Sequence, residues 1–88
     1  MAKYFSVINL SPQNSKDYVE HFPSEEDESS DPYYYGLLSN TGSWIIVQHH
    51  IANGTFRYVV GKTLATYQAA WTNRASETYV YLSEIYGN

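Results

Sequence analysis

YYYGLLSNTGSWIIVQHHIANGTFRYVVG, residues 33–61, alternates its side chains with a period of two on either side of two turn signals, and this pattern decides the fold. The first signal is Asn40-Thr41-Gly42. A three-residue turn with Gly42 in the left-handed conformation sets Ser39 opposite Ser43, Leu37 opposite Ile45 and Tyr35 opposite Val47. The second signal is Asn53-Gly54. A two-residue turn there pairs Ile51 with Phe56, His50 with Arg57, His49 with Tyr58 and Val47 with Val60. The two registers are set by separate turns, yet they agree on which side is apolar. Tyr33, Tyr35, Leu37, Ile45, Val47, His49, Ile51, Phe56, Tyr58 and Val60 fall on one face because strand side chains alternate. The other face takes Tyr34, Gly36, Leu38, Trp44, Ile46, Gln48, His50, Thr55, Arg57 and Val59. It is too apolar to stand in water, so either the C-terminal segment or another subunit must cover it. The agreement predicts an antiparallel meander.

On the C-terminal side, TLATYQAAWTNRAS (63–76) changes period. Thr63 can cap a short helix that sets Leu64, Tyr67, Trp71 and Ala75 on one side. Trp71 then caps the sheet, and Arg74, three residues on, lies across its ring with its guanidinium available to a carboxylate or a partner backbone. TYVYL (78–82) reads as a strand by β-propensity, although Tyr79, Leu82 and Tyr86 would also share a helix face.

On the N-terminal side, KYFSVINL (3–10) is a dense apolar segment long enough for one strand. In SPQNSKDYVEHF (11–22), Ser11 and Pro12 form a helix start, with Tyr18 and Phe22 on a shared face. Pro23 ends whatever precedes it, and SEEDESSD (24–31) has no apolar area to bury, so it reads as a solvated connector. The expected fold is mainly β: a small antiparallel meander with strands near 33–39, 43–51, 56–61 and 78–82, a short helix near 63–74, and an extended N-terminal arm. Residues 1–32 are then arm and acidic linker, and 33–88 a small β-rich body.

Bulk composition narrows the function. A chain of 88 residues makes one domain with a thin stability margin, and without cysteine it has neither a disulfide framework nor a thiolate metal site. No apolar run approaches the roughly 18 residues of a membrane span, and MAKYFSVINLSPQ lacks the apolar core of a signal peptide. Synthesis in the cytoplasm is the expectation. Ten of the fifteen aromatic residues are tyrosine, which supplies contact area with a polar tip and suits a β-protein that binds something. Residues 1–32 hold two lysines against seven acids (−5), and residues 33–88 hold three bases against two acids (+1). Nothing here neutralises phosphates, so direct nucleic-acid binding is disfavoured.

Catalytic and cofactor chemistries find no footing. His49 and His50 are adjacent in a strand and point to opposite faces, so their rings cannot converge on a metal ion. The expectation is His49 hydrogen-bonded at the core edge and His50 at the surface opposite Arg57. No serine sits in a G-x-S-x-G elbow, and Gly36, Gly42, Gly54 and Gly61 fall at turns or strand irregularities rather than in a phosphate-cradling loop. The acids cluster in one run without a rigid element to fix a carboxylate pair. No catalytic residue, metal ligand or cofactor is assigned.

Tyr35-Gly36, Trp44-Ile45-Ile46, Phe56-Arg57-Tyr58 with Gly61, and Ala70-Trp71-Thr72-Asn73-Arg74-Ala75-Ser76 followed by Tyr79 form a pattern over residues 33–81. In this pattern the chain resembles a group of small uncharacterised proteins encoded among the virion genes of tailed bacteriophages. The resemblance implies a setting, the virion, and no catalytic residue. With an extended arm on a small β body, the expectation in that setting is a capsid decoration or head/tail accessory subunit, forming a homo-oligomer and contacting other virion proteins, with no membrane partner. Its partner-binding residues would be Tyr4, Phe5, Val7, Ile8 and Leu10, anchoring the arm on a neighbouring chain, with Tyr34 and Trp44 on the mixed face of the sheet. The rival reading is a small acidic phage-encoded inhibitor of a host protein, its acidic strip mimicking nucleic acid.

Overall fold

The structure, a computed structural model, describes residues 20–86. Four strands form one antiparallel sheet in the order β1-β2-β3-β4: β1 His21–Asp27, β2 Tyr33–Ser39, β3 Trp44–His50 and β4 Thr55–Gly61. A 3-10 turn at Leu64–Thr66 leads into α1, Tyr67–Thr72. A second turn at Arg74–Ser76 precedes α2, Leu82–Tyr86.

The β2–β3 hairpin has the expected register, with Leu37 opposite Ile45 and Tyr35 opposite Val47. Gly42 sits at φ +99°, and the Ser39 amide donates to the Ser43 carbonyl oxygen at 3.0 Å. The Ser39 hydroxyl accepts from the amides of Thr41 and Ser43, so the turn is closed by its own side chain as well as its backbone. The β3–β4 hairpin differs from expectation by two residues. Its loop is Ile51–Gly54, and the pairs are His50 with Thr55, His49 with Phe56 and Val47 with Tyr58. Two causes are visible. The Gly54 amide, at φ +71°, closes a wider turn on the His50 carbonyl oxygen at 2.8 Å. The Asp31 carboxylate accepts from the amides of Ile51 and Ala52 at 2.8 and 3.3 Å, satisfying donors that a two-residue turn would not expose. A slip of two leaves every side chain that stays in the strands on its predicted face, and moves Ile51 from the apolar face into the loop.

Two predicted elements are corrected. The acidic run is a connector only in its second half, 28–31: its first half belongs to His21–Asp27, a strand paired along β2, from His21 opposite Ser39 to Asp27 opposite Tyr34, with an irregularity between Pro23 and Glu25. The sheet therefore begins at His21, twelve residues before the predicted body. Phe22 lies in this strand rather than on a helix, while residues 1–19, including the predicted strand over 3–10 and most of the predicted helix over 11–22, lie outside the described residues. The 78–82 strand is reduced to one residue. Val80 exchanges two backbone hydrogen bonds with Tyr58 at the β4 edge, and Leu82 already starts α2.

The sheet carries a cluster on each face. Tyr34, Trp44 and Ile46 pack under Tyr67, Ala70 and Trp71 of α1, with Leu38, Val59 and Tyr79 at the margin. Tyr35, Leu37, Ile45 and Val47 form the other cluster. Two glycines make the first fit. Trp44 lies over its cross-strand partner Gly61, where a Cβ would come within 2.2 Å of the indole. Tyr67 lies over Gly36, where a Cβ would meet its hydroxyl at 2.1 Å. Among the described residues no helix is long and apolar enough to cross a membrane.

Candidate functional site: the acidic strand and its clamp

The polar chemistry of the described chain concentrates where β1 meets the turn after α1. Because β1 is irregular at Ser24, Glu25 and Asp27 both project to the α1 side of the sheet while Glu26 projects to the other. Asp27 forms an ion pair with Arg74, whose Nη2 and Nε donate at 2.9 and 3.2 Å to one carboxylate oxygen. Arg74 is oriented before it reaches Asp27. Its Nη1 donates to the Trp71 carbonyl oxygen at 2.7 Å, and the guanidinium lies 4.4 Å from the Trp71 ring centroid. The other Asp27 oxygen accepts from the hydroxyl and amide of Ser29 at 2.6 and 3.1 Å. Those donors, the Ser29 hydroxyl first and Arg74 next, lower the Asp27 pKa to about 2.

Glu25 accepts a hydrogen bond from the Tyr67 hydroxyl, the one that stands over Gly36. Burial, and then this carboxylate, push the Tyr67 phenol above its ordinary range. Tyr35 donates to Glu28 at 2.6 Å on the opposite face, and its phenol is also raised, by burial first. With Asp31 on the β3–β4 loop, four acids of the run thus hold the body together. Tyr79 closes the clamp by donating to the Arg74 carbonyl oxygen at 2.9 Å.

The charged and phenolic groups of the arrangement are engaged with one another. A carboxylate held at about 2 is too weak a base to take a proton at neutral pH, and a phenol raised by burial is a donor rather than a nucleophile. Asp27, Ser30, Pro32, Tyr34, Thr72 and Arg74 line a shallow cleft, but its charged pair is already engaged. Among the described residues no group of His, Asp and Glu is placed to hold a metal ion.

The predicted site residues divide. Tyr34 and Trp44, expected as partner contacts, are 8% and 5% exposed and pack in the core beneath α1. The Trp44 indole N–H is also occupied, donating to the Thr63 carbonyl oxygen and the Thr66 hydroxyl, both at 3.0 Å. Tyr4, Phe5, Val7, Ile8 and Leu10 lie outside the described residues. His49 is held by rings rather than by the expected hydrogen bond: it stacks on Phe56 with centroids 4.1 Å apart and meets Tyr33 edge-on. His50 faces Thr55 instead of Arg57 and bonds Gln48 at 3.0 Å. Trp71 caps the sheet with Arg74 across its ring, as the i, i+3 spacing predicts. Sequence reasoning missed Glu25, Asp27, Asp31 and Tyr67. The one available signal was Arg74, a cation free for a carboxylate in a chain with five of its nine acids in one run. No protein-family model, curated protein or solved structure matches the chain.

Proposed function

We propose that this chain is a structural subunit of a tailed-bacteriophage virion, a capsid decoration or head/tail accessory protein that contacts other virion proteins and copies of itself. The setting rests on the resemblance over residues 33–81. The observation that carries the non-catalytic reading is the inward engagement of the acidic run: Glu25, Asp27, Glu28 and Asp31 each bind the body. The same observation weighs against the rival inhibitor, because a nucleic-acid mimic needs its carboxylates turned outward to meet a basic groove. The surface also carries exposed large apolar side chains, Phe22, Ile51, Phe56, Leu64 and Tyr81 among them. Such residues suit protein contacts.

Mass spectrometry of purified particles tests the proposal. A structural subunit appears at roughly tens to hundreds of copies, as particle symmetry requires. Absence from particles, with the protein present in the infected cell, would refute it.

A further inference from the structure

Charge is divided across the sheet. The stretch from Glu20 to Asp31, which holds β1, carries six carboxylates and no lysine or arginine. From Pro32 to Ser76, which holds β2 to β4 and α1, the chain carries Arg57, Lys62 and Arg74 and no carboxylate. β1 and β4 are the outer strands, so an acidic rim and a basic rim lie on opposite sides of one sheet. Most acids of the first rim are engaged within the chain, but Glu26 is exposed and, among the described residues, holds no side chain. On the far rim Arg57 has no counter-ion, since neither Glu77 nor Glu84 of the segment beyond β4 pairs with it. Its Nη2 donates to the Tyr81 hydroxyl at 3.1 Å and its Nε has no acceptor. The guanidinium lies 4.9 Å from the Tyr81 ring centroid, so it leans outward over the segment beyond β4.

The cross-sheet register sets these rims level with each other. One row runs Asp27, Tyr34, Gln48, Arg57, all on the α1 face, and the next runs Glu26, Tyr35, Val47, Tyr58. Further rows join Pro23 to Val60 and Phe22 to Gly61. Each rim also carries exposed apolar side chains, Phe22 on one and Phe56, Val60 and Tyr81 on the other. With four strands alternating in direction, a second copy set beside the first in the same orientation brings its β1 antiparallel to β4 and its α1 to the same side.

We propose that the β1 rim of one copy docks on the β4 rim of the next, with its Glu26 and Asp27 end against Arg57 and its Phe22 and Pro23 end against Val60. Val80 already takes the edge groups of Tyr58, so side chains make this contact rather than a continued ladder. A second copy is the occupant that the charges specify, because this chain supplies both signs at matching levels, whereas two rims of one kind would repel. The contact joins different surfaces of the two copies, so it repeats into rings or filaments and does not stop at a dimer. The inference rests on the contact between copies in the virion proposal and names its surfaces.

Sedimentation of the purified full-length chain tests this. At concentrations up to about 1 mM and low salt, where weak contacts register, species beyond the dimer should form and should recede as salt screens the charges. A monomer throughout, or association that stops at a dimer or ignores salt, would overturn the proposal. Glu26→Lys or Arg57→Glu alone should abolish assembly, and the two changes, mixed as separate chains or joined in one, should restore it by reversing the pair. Assembly that ignores either reversal, or that the combination does not restore, would contradict the proposal. Glu26 holds no side chain of its own copy, so its variant keeps the fold; if Arg57→Glu unfolds the chain, Arg57→Gln reads the same loss. A negative result leaves the particle measurement standing, since contacts with other virion proteins would still hold the chain there.

Discussion

Replacing Gly36 by alanine should destabilise the protein through Tyr67 rather than through the backbone. Gly36 pairs in the sheet with Glu25 on one side and Ile46 on the other, and it is not among the glycines at positive φ, so the strand itself accepts a Cβ. The added atom would stand 2.1 Å from the Tyr67 hydroxyl oxygen, 3.1 Å from Cζ and 3.2 Å from Trp71 Cε3. Tyr67 cannot swing aside cheaply, since it stacks near Trp71, meets Trp44 edge-on and donates to Glu25. Overpacking of this kind costs about 1–3 kcal/mol. Displacing a hydrogen bond to a charged acceptor adds roughly 1.5 kcal/mol, taken at the low end because Glu25 is partly solvated. The lower entropy of the unfolded alanine chain offsets about 0.4–1 kcal/mol. A net loss near 2–3 kcal/mol lowers the melting temperature by roughly 8–24 °C in a domain of this size. The assay is a double-mutant cycle by urea unfolding, with Tyr67→Phe as the second change. Removing the hydroxyl leaves only the tight but tolerable contacts to Cζ and Trp71, so Gly36→Ala should cost under about 1 kcal/mol in the Tyr67→Phe background, a coupling of at least about 1 kcal/mol. Equal costs in both backgrounds would refute the reasoning.

The Asp27–Arg74 pair supports further expectations. Arg74→Ala should destabilise by about 1–2 kcal/mol in thermal melting, discounted because the pair is partly exposed, and Arg74→Lys should recover only part of this, lacking the planar fork that also grips Trp71. Since the Asp27 pKa falls from 3.8 in the unfolded chain to about 2 in the folded one, its contribution is complete above about 4 and lost as pH falls toward 2. Carbon-detected titration of the Asp27 carboxyl should give a midpoint near 2, and Asp27→Asn should flatten the acid limb of the stability profile. Asp31→Ala should free the amides of Ile51 and Ala52, speeding their hydrogen exchange and costing about 1 kcal/mol, as loss of a capping carboxylate does.

The meander was legible because it is written locally. Gly42 and Gly54 announce their turns, and alternation from Tyr33 to Gly61 assigns the faces, which no two-residue slip can exchange. The slip itself was not legible, because the Asp31 carboxylate that supports the wider loop comes from twenty residues upstream. β1 was hidden for a related reason. Pro23 and the irregularity at Ser24 break its period, its acids offer no apolar face, and its stabilising partners are 42 and 47 residues away, at Tyr67 and Arg74. Composition reported a solvated run, and long-range pairing overrode it. At Val80 β-propensity competed with the helical spacing of Tyr79 and Leu82, and the chain divides the two, one bridge and then a helix. The cover over Tyr34 and Trp44 was not legible, because a mixed sheet face looks the same whether α1 or a partner lies on it.

The central claim is that the acidic run belongs to the sheet and holds it, rather than tethering it. Cross-strand nuclear Overhauser effects measured on the full-length protein test this most directly. The account predicts backbone contacts between Phe22 and Leu38 and between Glu26 and Tyr35, with slow amide exchange along the paired residues. Random-coil shifts and rapid exchange throughout residues 21–27, in a protein whose β2–β3–β4 meander is folded, would contradict it.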